Sequence, residues 1–303
     1  MTASCRLQTL LAAGHFVISA ELTPPRHHNM KTLMAIATKL QAYVDVLQIN
    51  DNALAQARLS NLVAAQFVWH AGIEPVVQMT LRHRNRIALQ SDLLGLAALG
   101  IRNLIIVGGY PCSMGTDPEA KDAQDLSTTE AIAAIDNLTV RGQMFNGDKI
   151  AYIPDFFMGT VAFTEVKPEK LADSLDNIEA KIDGGAKFVQ LQATFDLKTL
   201  EKWMAEAVKR NLHHKAYFIA AMYPFKSEKE LNLLNRLAGL NVPHWLFTRI
   251  RQHKYASFQF NLELIAGIQA IEGIRGLHFR SIHSRNCIAK LIESAKLRDS
   301  IAA

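Results

Sequence analysis

The 303-residue chain is poor in cysteine, with only Cys5, Cys112 and Cys287, which lie far apart. An odd number of scattered cysteines without a C-x-x-C pair argues against a disulfide framework and a cysteine-rich metal site, and favours a reducing compartment. We therefore expect a cytoplasmic protein. Clusters of histidine and acidic residues at metal-ligand spacing are also missing, because the adjacent His27 and His28 suit a surface turn better than a metal. No metal site is predicted.

Long runs of one residue class are absent as well. No apolar run reaches the length of about 18 residues that a membrane span needs, and the amino terminus makes a poor signal peptide. The net charge of +5 is spread along the chain without a block of about five like charges. No basic patch with interleaved aromatic residues stands out. We therefore expect neither a membrane span nor a nucleic-acid partner.

The sequence does contain a regular alternation of short apolar runs with longer amphipathic runs. The predicted strands are Phe16–Glu21, Val44–Ile49, Glu74–Met79, Asn103–Val107, a segment within Ile150–Val161, Ala186–Gln192, Ala216–Met222 and Gly276–Ile282. Strict alternation of strands and helices predicts parallel strands with crossover helices. The simplest α/β architecture with this count is a single (β/α)8 TIM barrel over residues 1–303. An open doubly wound sheet is the alternative, but its usual glycine-rich turn after the first strand is missing.

The segments between the strands carry recognisable helix signals. Asn50, Asp51 and Asn52 predict a turn and then the cap of a helix that runs to about Gly72. Ser127–Glu130 has capping-box spacing and predicts the start of a later helix.

The first predicted strand delivers a single carboxylate, Glu21, and is stopped by Pro24 and Pro25. At the carboxyl end of a barrel strand, a glutamate faces the usual active-site cleft. Partial burial there raises a carboxyl pKa towards the range that is useful for acid–base chemistry. The alternative is a structural glutamate that pairs with a nearby arginine such as Arg26.

The predicted carboxyl ends of the strands define a candidate rim. The rim residues are Glu21, Asn50, Asp51, Asn52, Gln78, Thr80, Gly108, Gly109, Tyr110, Gln190, Gln192, Tyr223, Arg280 and His283. One strategic acid, Glu21, with several amides suits the recognition and protonation of a heteroaromatic ring. Two adjacent glycines also allow a flat ligand to approach the backbone closely.

Several segments resemble the methylenetetrahydrofolate reductase family. Ala20–Arg26 (AELTPPR) resembles the start of that family's barrel, and Gly72–Arg82 (GIEPVVQMTLR) is similar to a longer family segment. Arg84–Leu94 and Leu99–Asn103 continue the match, and Gly185–Gln192 (GAKFVQLQ) resembles a later segment. The similarity is clear over about residues 15–200 and loose beyond them.

The resemblance implies a flavin-containing barrel that interconverts 5,10-methylenetetrahydrofolate and 5-methyltetrahydrofolate. It implies FAD, or alternatively FMN, as cofactor, and NAD(P)H or another electron donor. Glu21 falls on the family's general acid, which protonates N10, and Gln192 falls on the glutamine that contacts the pterin. Gln190 and Tyr223 complete the expected folate site.

The expected flavin contacts are Asn50, Gln78, Gly108, Gly109, Tyr110, Asn177 and Lys181. Asn177 and Lys181 fall on family positions that hold the ribityl and phosphate portion, and four-residue spacing puts them on one helical face. The alternative for Lys181 is a solvated helix charge.

Three departures from the family pattern fall in the site. The family usually has Gly-Asp after strand four, where this chain has Gly108-Gly109, so a carboxylate near the flavin is absent. His83 replaces an aspartate in the family's arginine-rich segment, while Asn50 and Leu191 replace threonines. We therefore expect a divergent member.

The departures leave alternative functions open. One alternative is a folate-binding or accessory subunit without flavin chemistry, and another is a methyltransferase that uses methyl-folate directly. A homo-oligomer or an electron-donating partner subunit also stays open.

Overall fold

In the computed structural model, parallel strands close into an eight-stranded barrel. The structure describes residues 5–298, except 124, 165, 238, 254 and 281–284. The strands are β1 (Val17–Leu22), β2 (Val46–Ile49), β3 (Pro75–Thr80), β4 (Asn103–Val107), β5 (Phe157–Ala162), β6 (Phe188–Leu191), β7 (Tyr217–Met222) and β8 (Ile274–Phe279). Each strand pairs with its neighbours in sequence, and β8 closes the barrel against β1. The predicted (β/α)8 fold is confirmed.

Helices surround the barrel, except for the first one, which lies at its amino-terminal end. They are α1 (Arg6–Ala12), α2 (Lys31–Gln41), α3 (Asn61–His70), α4 (Arg86–Ala98), α5 (Thr128–Arg141), α6 (Leu171–Asp183), α7 (Leu197–Lys209), α8 (Leu212–Lys215), α9 (Glu228–Leu234), α10 (His244–Ile250), α11 (Ala256–Ala270) and α12 (Arg285–Ser294). The capping box predicted at Ser127–Glu130 is confirmed, since both of its reciprocal hydrogen bonds form at the start of α5.

The helix predicted between Asn52 and Gly72 is wrong in its first half. Asn52, Leu54 and Ala55 have φ angles of 42°, 59° and 52°, which a right-handed helix cannot contain. The chain makes only a short 3-10 turn there before α3 begins at Asn61. Asparagine tolerates the left-handed region with positive φ, but leucine and alanine rarely adopt it, so the sequence did not predict it there.

Other boundaries also differ from the sequence prediction. Helix α1 was not predicted, and neither was α10, which lies between β7 and α11. The capping-box spacing of Ser227–Glu230 does predict the start of α9, where the Ser227 side chain accepts from the Glu230 N–H. Strand β5, predicted to lie within Ile150–Val161, runs from Phe157 to Ala162. Strand β8 runs from Ile274 to Phe279, and the predicted end at Ile282 lies outside the described residues.

The lower half of the barrel interior is an apolar core. Leu7 and Leu11 of α1 are almost fully buried and pack against inward-facing residues at the amino ends of the strands. Two of these, Phe157 and Phe188, stack with ring centroids 5.5 Å apart. Helix α1 therefore closes the amino-terminal end of the barrel.

The upper half of the interior is polar. Inward positions recur every second residue along a strand, so polar residues that are two positions apart both face the interior. Strand β1 contributes Ser19 and then Glu21, while β8 contributes His278 and is followed by Arg280. These two strands are adjacent, with Ser19 aligned with His278. The fold thus brings the two ends of the sequence together at the carboxyl-terminal mouth.

Candidate functional site

Glu21 lies at the end of β1 and is only 6% exposed. Its Oε2 accepts hydrogen bonds from Asn50 Nδ2 and from Arg280 Nε, each over 3.2 Å. Asn50 Nδ2 also lies 3.1 Å from Thr23 Oγ1. The expectation that a structural partner would be Arg26 is wrong, because Arg280, 259 positions away in sequence, forms the ion pair.

Arg280 connects Glu21 with two predicted substrate residues. Its Nη1 donates to Gln192 Oε1 over 3.2 Å, and its guanidinium carbon lies 4.9 Å from the centroid of the Tyr223 ring. Burial disfavours the charged guanidinium, but the negative charge of Glu21 and the nearby Tyr223 and Tyr110 raise the pKa of Arg280 overall. Burial likewise raises the pKa of Tyr223. The cluster therefore contains one paired charge of each sign beside the neutral phenol of Tyr223.

A second polar layer lies below this ion pair. His278 is fully buried, and its Nδ1 lies 2.8 Å from Ser19 Oγ. Its Nε2 has no hydrogen-bond partner among the described residues. Burial lowers the pKa of His278 to about 4, although the charge of Glu21 opposes this. The imidazole is therefore neutral at physiological pH.

The remaining predicted folate residue, Gln190, lies two positions before Gln192 on β6 and is buried. Gln48 on β2 is buried as well. Over the described ranges, neither side-chain amide forms a hydrogen bond with the protein. Both amides are therefore available to a polar ligand in the mouth.

Gln78, predicted to contact a flavin, has a structural partner. Its Oε1 accepts a hydrogen bond from the backbone N–H of Asp51 over 3.0 Å. The buried Asp51 carboxylate accepts from the backbone N–H of Thr80 over 2.8 Å and forms an ion pair with Arg84. Arg84 also pairs with Asp92 over 2.7 Å. This network fixes the loops after β2 and β3. Gln78 and Asp51, which the sequence placed on the rim, are therefore engaged in contacts within the protein.

The Gly108–Gly109 pair follows β4 at the rim. Gly109 has a φ of +85°, and a Cβ built on it would lie 2.2 Å from Thr80 Cγ2. The aspartate that the resembled family has there would clash in this backbone. Arg82 Nε donates to the Gly109 carbonyl over 3.1 Å and pairs with Asp122 over 2.5 Å. The loop after β4 therefore does bring a carboxylate close to Gly109, but it is neutralised by Arg82.

Asn177 and Lys181 both lie on α6, but in different surroundings. Asn177 is exposed, whereas Lys181 is 9% exposed, so the alternative of a solvated charge is wrong for Lys181. Burial lowers the pKa of Lys181. Its backbone carbonyl accepts from Ala186 just before β6, at the amino-terminal end of that strand. The described contacts do not join either residue to the rim cluster.

Two further features follow from the described residues as a whole. Those residues contain no group of three or more His, Cys, Asp or Glu side chains that could hold a metal ion. Nor does any helix within them have the length and apolar character to cross a membrane.

The residues that the sequence prediction missed are Ser19, Gln48 and His278. The sequence did contain a signal for them. Each lies two positions before a predicted rim residue, and inward-facing positions repeat every second residue along a strand. Arg280 was placed on the rim, but its pairing with Glu21 was not foreseen. His283 lies outside the described residues.

The carboxyl-terminal mouth of the parallel barrel gathers Glu21, Arg280 and several amides, and this end is the usual place for a small-molecule site in barrels of this kind. The chain belongs to the methylenetetrahydrofolate reductase family, which matches residues 6–296.

Individual relatives are distant. A probable methylenetetrahydrofolate reductase (NADPH) from Caenorhabditis elegans is 20% identical over 260 residues, which cover 82% of this chain and 36% of the relative. The chain thus spans little more than a third of that protein. A Clostridium thermocellum protein that binds two copies of 5-methyl-5,6,7,8-tetrahydrofolic acid is 16% identical with a TM-score of 0.65, over 97% of both chains. An F420-dependent secondary alcohol dehydrogenase is 12% identical, with a TM-score of 0.60 over 94% of this chain and all of that one.

Proposed function

We propose that this protein binds a reduced folate in the carboxyl-terminal mouth of the barrel and interconverts 5,10-methylenetetrahydrofolate and 5-methyltetrahydrofolate. The observation that carries the proposal is the convergence of Glu21, Gln192 and Tyr223 on Arg280 in a chain of this family. The folate bound by the Clostridium protein supports the ligand class. The name of the Caenorhabditis relative supports the reaction class.

Glu21 is the proposed acid. Proton transfer from its carboxyl group to N10 cleaves the bond between N10 and the bridging methylene carbon. The iminium left at N5 accepts a hydride and becomes the N5-methyl group. In the opposite direction, the Glu21 carboxylate takes the proton back from N10. Gln192 would orient the pterin together with Gln48 and Gln190, whose side-chain amides form no hydrogen bond with the described part of the protein.

A bound flavin would supply the hydride after reduction by NAD(P)H or another donor. Gly108 and Gly109 carry no side chains and Gly109 is exposed, although Thr80 Cγ2 fills the space where its Cβ would lie. Tyr110 follows them and is close enough to Arg280 to raise its pKa. Asn50 is engaged with Glu21, and Lys181 lies near the amino-terminal end of β6. The residues therefore fit the ring of a flavin better than its phosphates, and the choice between FAD and FMN stays a prediction.

The test of the acid is Glu21→Gln, measured as methylene-to-methyl folate turnover by the purified protein. We expect kcat to fall by about 10²–10⁴-fold, because glutamine cannot donate the proton. Binding of 5-methyltetrahydrofolate should persist, since the amide oxygen can still accept from Arg280. Glu272→Gln, at an exposed glutamate before β8, is the matched control. Unchanged turnover in Glu21→Gln would reject the proposed role.

A second candidate is a folate-binding subunit without flavin chemistry. Two observations favour it: the ion pair that engages Glu21, and the lack of room for a side chain at Gly109. The visible absorption spectrum of the purified protein, before and after incubation with FAD and FMN, separates the two. Flavin absorption that survives gel filtration supports the oxidoreductase. Folate binding by a colourless protein that retains neither flavin supports the subunit.

The cytoplasmic location, the single domain over residues 1–303, and a homo-oligomer or electron-donating subunit remain predictions.

A further inference from the structure

Arg280 is the group that joins the proposed acid to the proposed pterin contact. Its Nε donates to Glu21 Oε2 and its Nη1 donates to Gln192 Oε1, each over 3.2 Å. The ring of Tyr223 lies against the guanidinium and limits its movement. One planar, five-donor side chain thus holds two residues from distant strands in a fixed relation.

This contact fixes the orientation of the Gln192 amide. A guanidinium has donors only, so the atom of Gln192 that faces it must be the carbonyl oxygen. The amide nitrogen therefore points away from Arg280. It lies 3.9 Å from the position that a Cβ on Gly239 would take, and the same position is 3.3 Å from the exposed ring of Phe163. Gln192 consequently directs its N–H donors towards Gly239 and the ring of Phe163, which directly follows the carboxyl end of β5.

We propose that Arg280 is a positioning residue that sets the polarity of the site, holding Glu21 as a carboxylate in the free protein and Gln192 as a hydrogen-bond donor to the ligand. The inference rests on the proposed folate function and deepens it. It requires a planar ligand that offers an acceptor, a carbonyl oxygen or a ring nitrogen, to Gln192. It also requires the Arg280–Glu21 contact to weaken before Glu21 can carry a proton.

The decisive variant is Gln192→Glu, which is nearly isosteric. A glutamate at this position still accepts from Arg280 but has no N–H to donate. We expect the Kd of 5-methyltetrahydrofolate to rise about tenfold or more, because the ligand acceptor then meets an anion. If Gln192 instead presented its carbonyl to a ligand donor, binding would be kept or improved, and that result overturns the inference. Thermal unfolding checks that the variant is folded.

Arg280→Lys and Arg280→Met test the positioning role directly. Lysine keeps the charge but cannot contact Glu21 and Gln192 at the same time. We therefore expect 5-methyltetrahydrofolate to bind about tenfold more weakly to Arg280→Lys as well as to Arg280→Met. Arg275→Met, at the amino-terminal half of the same strand, is the matched control and should bind like the wild type. If Arg280→Lys and Arg280→Met bind 5-methyltetrahydrofolate as tightly as Arg275→Met does, the inference is overturned.

The pH profile of kcat/KM gives a readout that a purely structural role would not move. A general acid loses activity as the pH rises through its pKa, and removal of a neighbouring cation raises a carboxyl pKa. We expect the alkaline limb to move up by about one unit or more in Arg280→Met. The other titratable groups that interact electrostatically with Glu21 in the described structure are His278 and Tyr223, and Tyr110 interacts with Arg280 and Tyr223. They are unchanged in this variant, so an unmoved limb counts against the inference.

The outcomes also separate the inference from the function on which it rests. Wild-type protein that binds no folate overturns both. Wild-type protein that binds folate, with Gln192→Glu and the Arg280 variants binding equally well, overturns the inference alone.

Discussion

The two ends of the barrel use the same strands in opposite ways. At the amino-terminal end, α1 inserts Leu7 and Leu11 against an apolar interior, and the few polar groups there pair with one another, although Glu74 Oε2 has no partner among the described residues. Cys5 Sγ donates to Asn103 Oδ1 over 2.7 Å, and Asn103 Nδ2 donates to Glu74 over 2.7 Å. Burial raises the pKa of Cys5 to about 12, so this thiol is inert at neutral pH.

At the carboxyl-terminal end, the polar groups are held together but not all satisfied. Glu21, Arg280 and Gln192 form a chain of contacts across three strands, while His278 Nε2 has no partner among the described residues. Unmatched buried polar groups lower stability, and a functional role is one of the reasons for which natural proteins keep them. The amino-terminal end therefore contributes mainly buried apolar contacts, whereas the carboxyl-terminal end gathers the polar groups on which the proposed function depends.

The sharpest test of the stabilising end is Leu11→Ala. Removing a fully buried leucine leaves a cavity under α1, and we expect a loss of about 2–5 kcal/mol in the free energy of unfolding. Folate affinity should not change well below the melting temperature. Urea unfolding of the purified protein measures the loss, with the exposed Gln8→Ala on the same helix as control. A large loss of affinity in folded Leu11→Ala would contradict the division between the two ends.

The next largest effect concerns His278 and pH. Its pKa is about 4 in the native protein against 6.5 for an ordinary histidine, so only the unfolded chain binds the proton between these values. Stability is therefore unaffected above about pH 6.5 and lost as the pH falls to 4, by on the order of 3 kcal/mol. His278→Gln should remove this part of the pH dependence, measured by urea unfolding at pH 7 and pH 4. His70→Gln, at an exposed histidine, is the control. The same change in the free energy of unfolding between pH 7 and pH 4 in His278→Gln and the wild type would contradict the prediction.

A smaller effect is expected at Gly109. Gly109 and Gly72 have similar φ angles of +85° and +77°, but only Gly109 has a close neighbour, Thr80 Cγ2. Gly109→Ala should therefore cost about 1–3 kcal/mol more than Gly72→Ala, from overpacking alone. Thr80→Ser removes the methyl group and should recover most of that difference in the double variant. Equal costs at the two glycines, measured by thermal unfolding, would show that Thr80 moves aside freely.

Much of the fold was predictable because it depends on local periodicity. All eight strands and most of the surrounding helices follow from alternating apolar and amphipathic runs, and the α5 cap follows from Ser127 and Glu130. The failures arose where tertiary contacts override local preference. The left-handed residues Leu54 and Ala55 interrupt a plausible helix, and α1 has too few residues to show a strong period.

The sequence by itself determined the order of the strands, the barrel, and the place of Glu21 at the end of the first strand. Only the tertiary structure decided the partner of Glu21, because closing the barrel brings Arg280 across 259 positions of sequence to β1. It also decided that Gln192 faces Arg280 with its oxygen and that Lys181 is buried. Periodicity sets which side of a strand a residue occupies, whereas the distances between side chains on different strands depend on the register of the closed barrel.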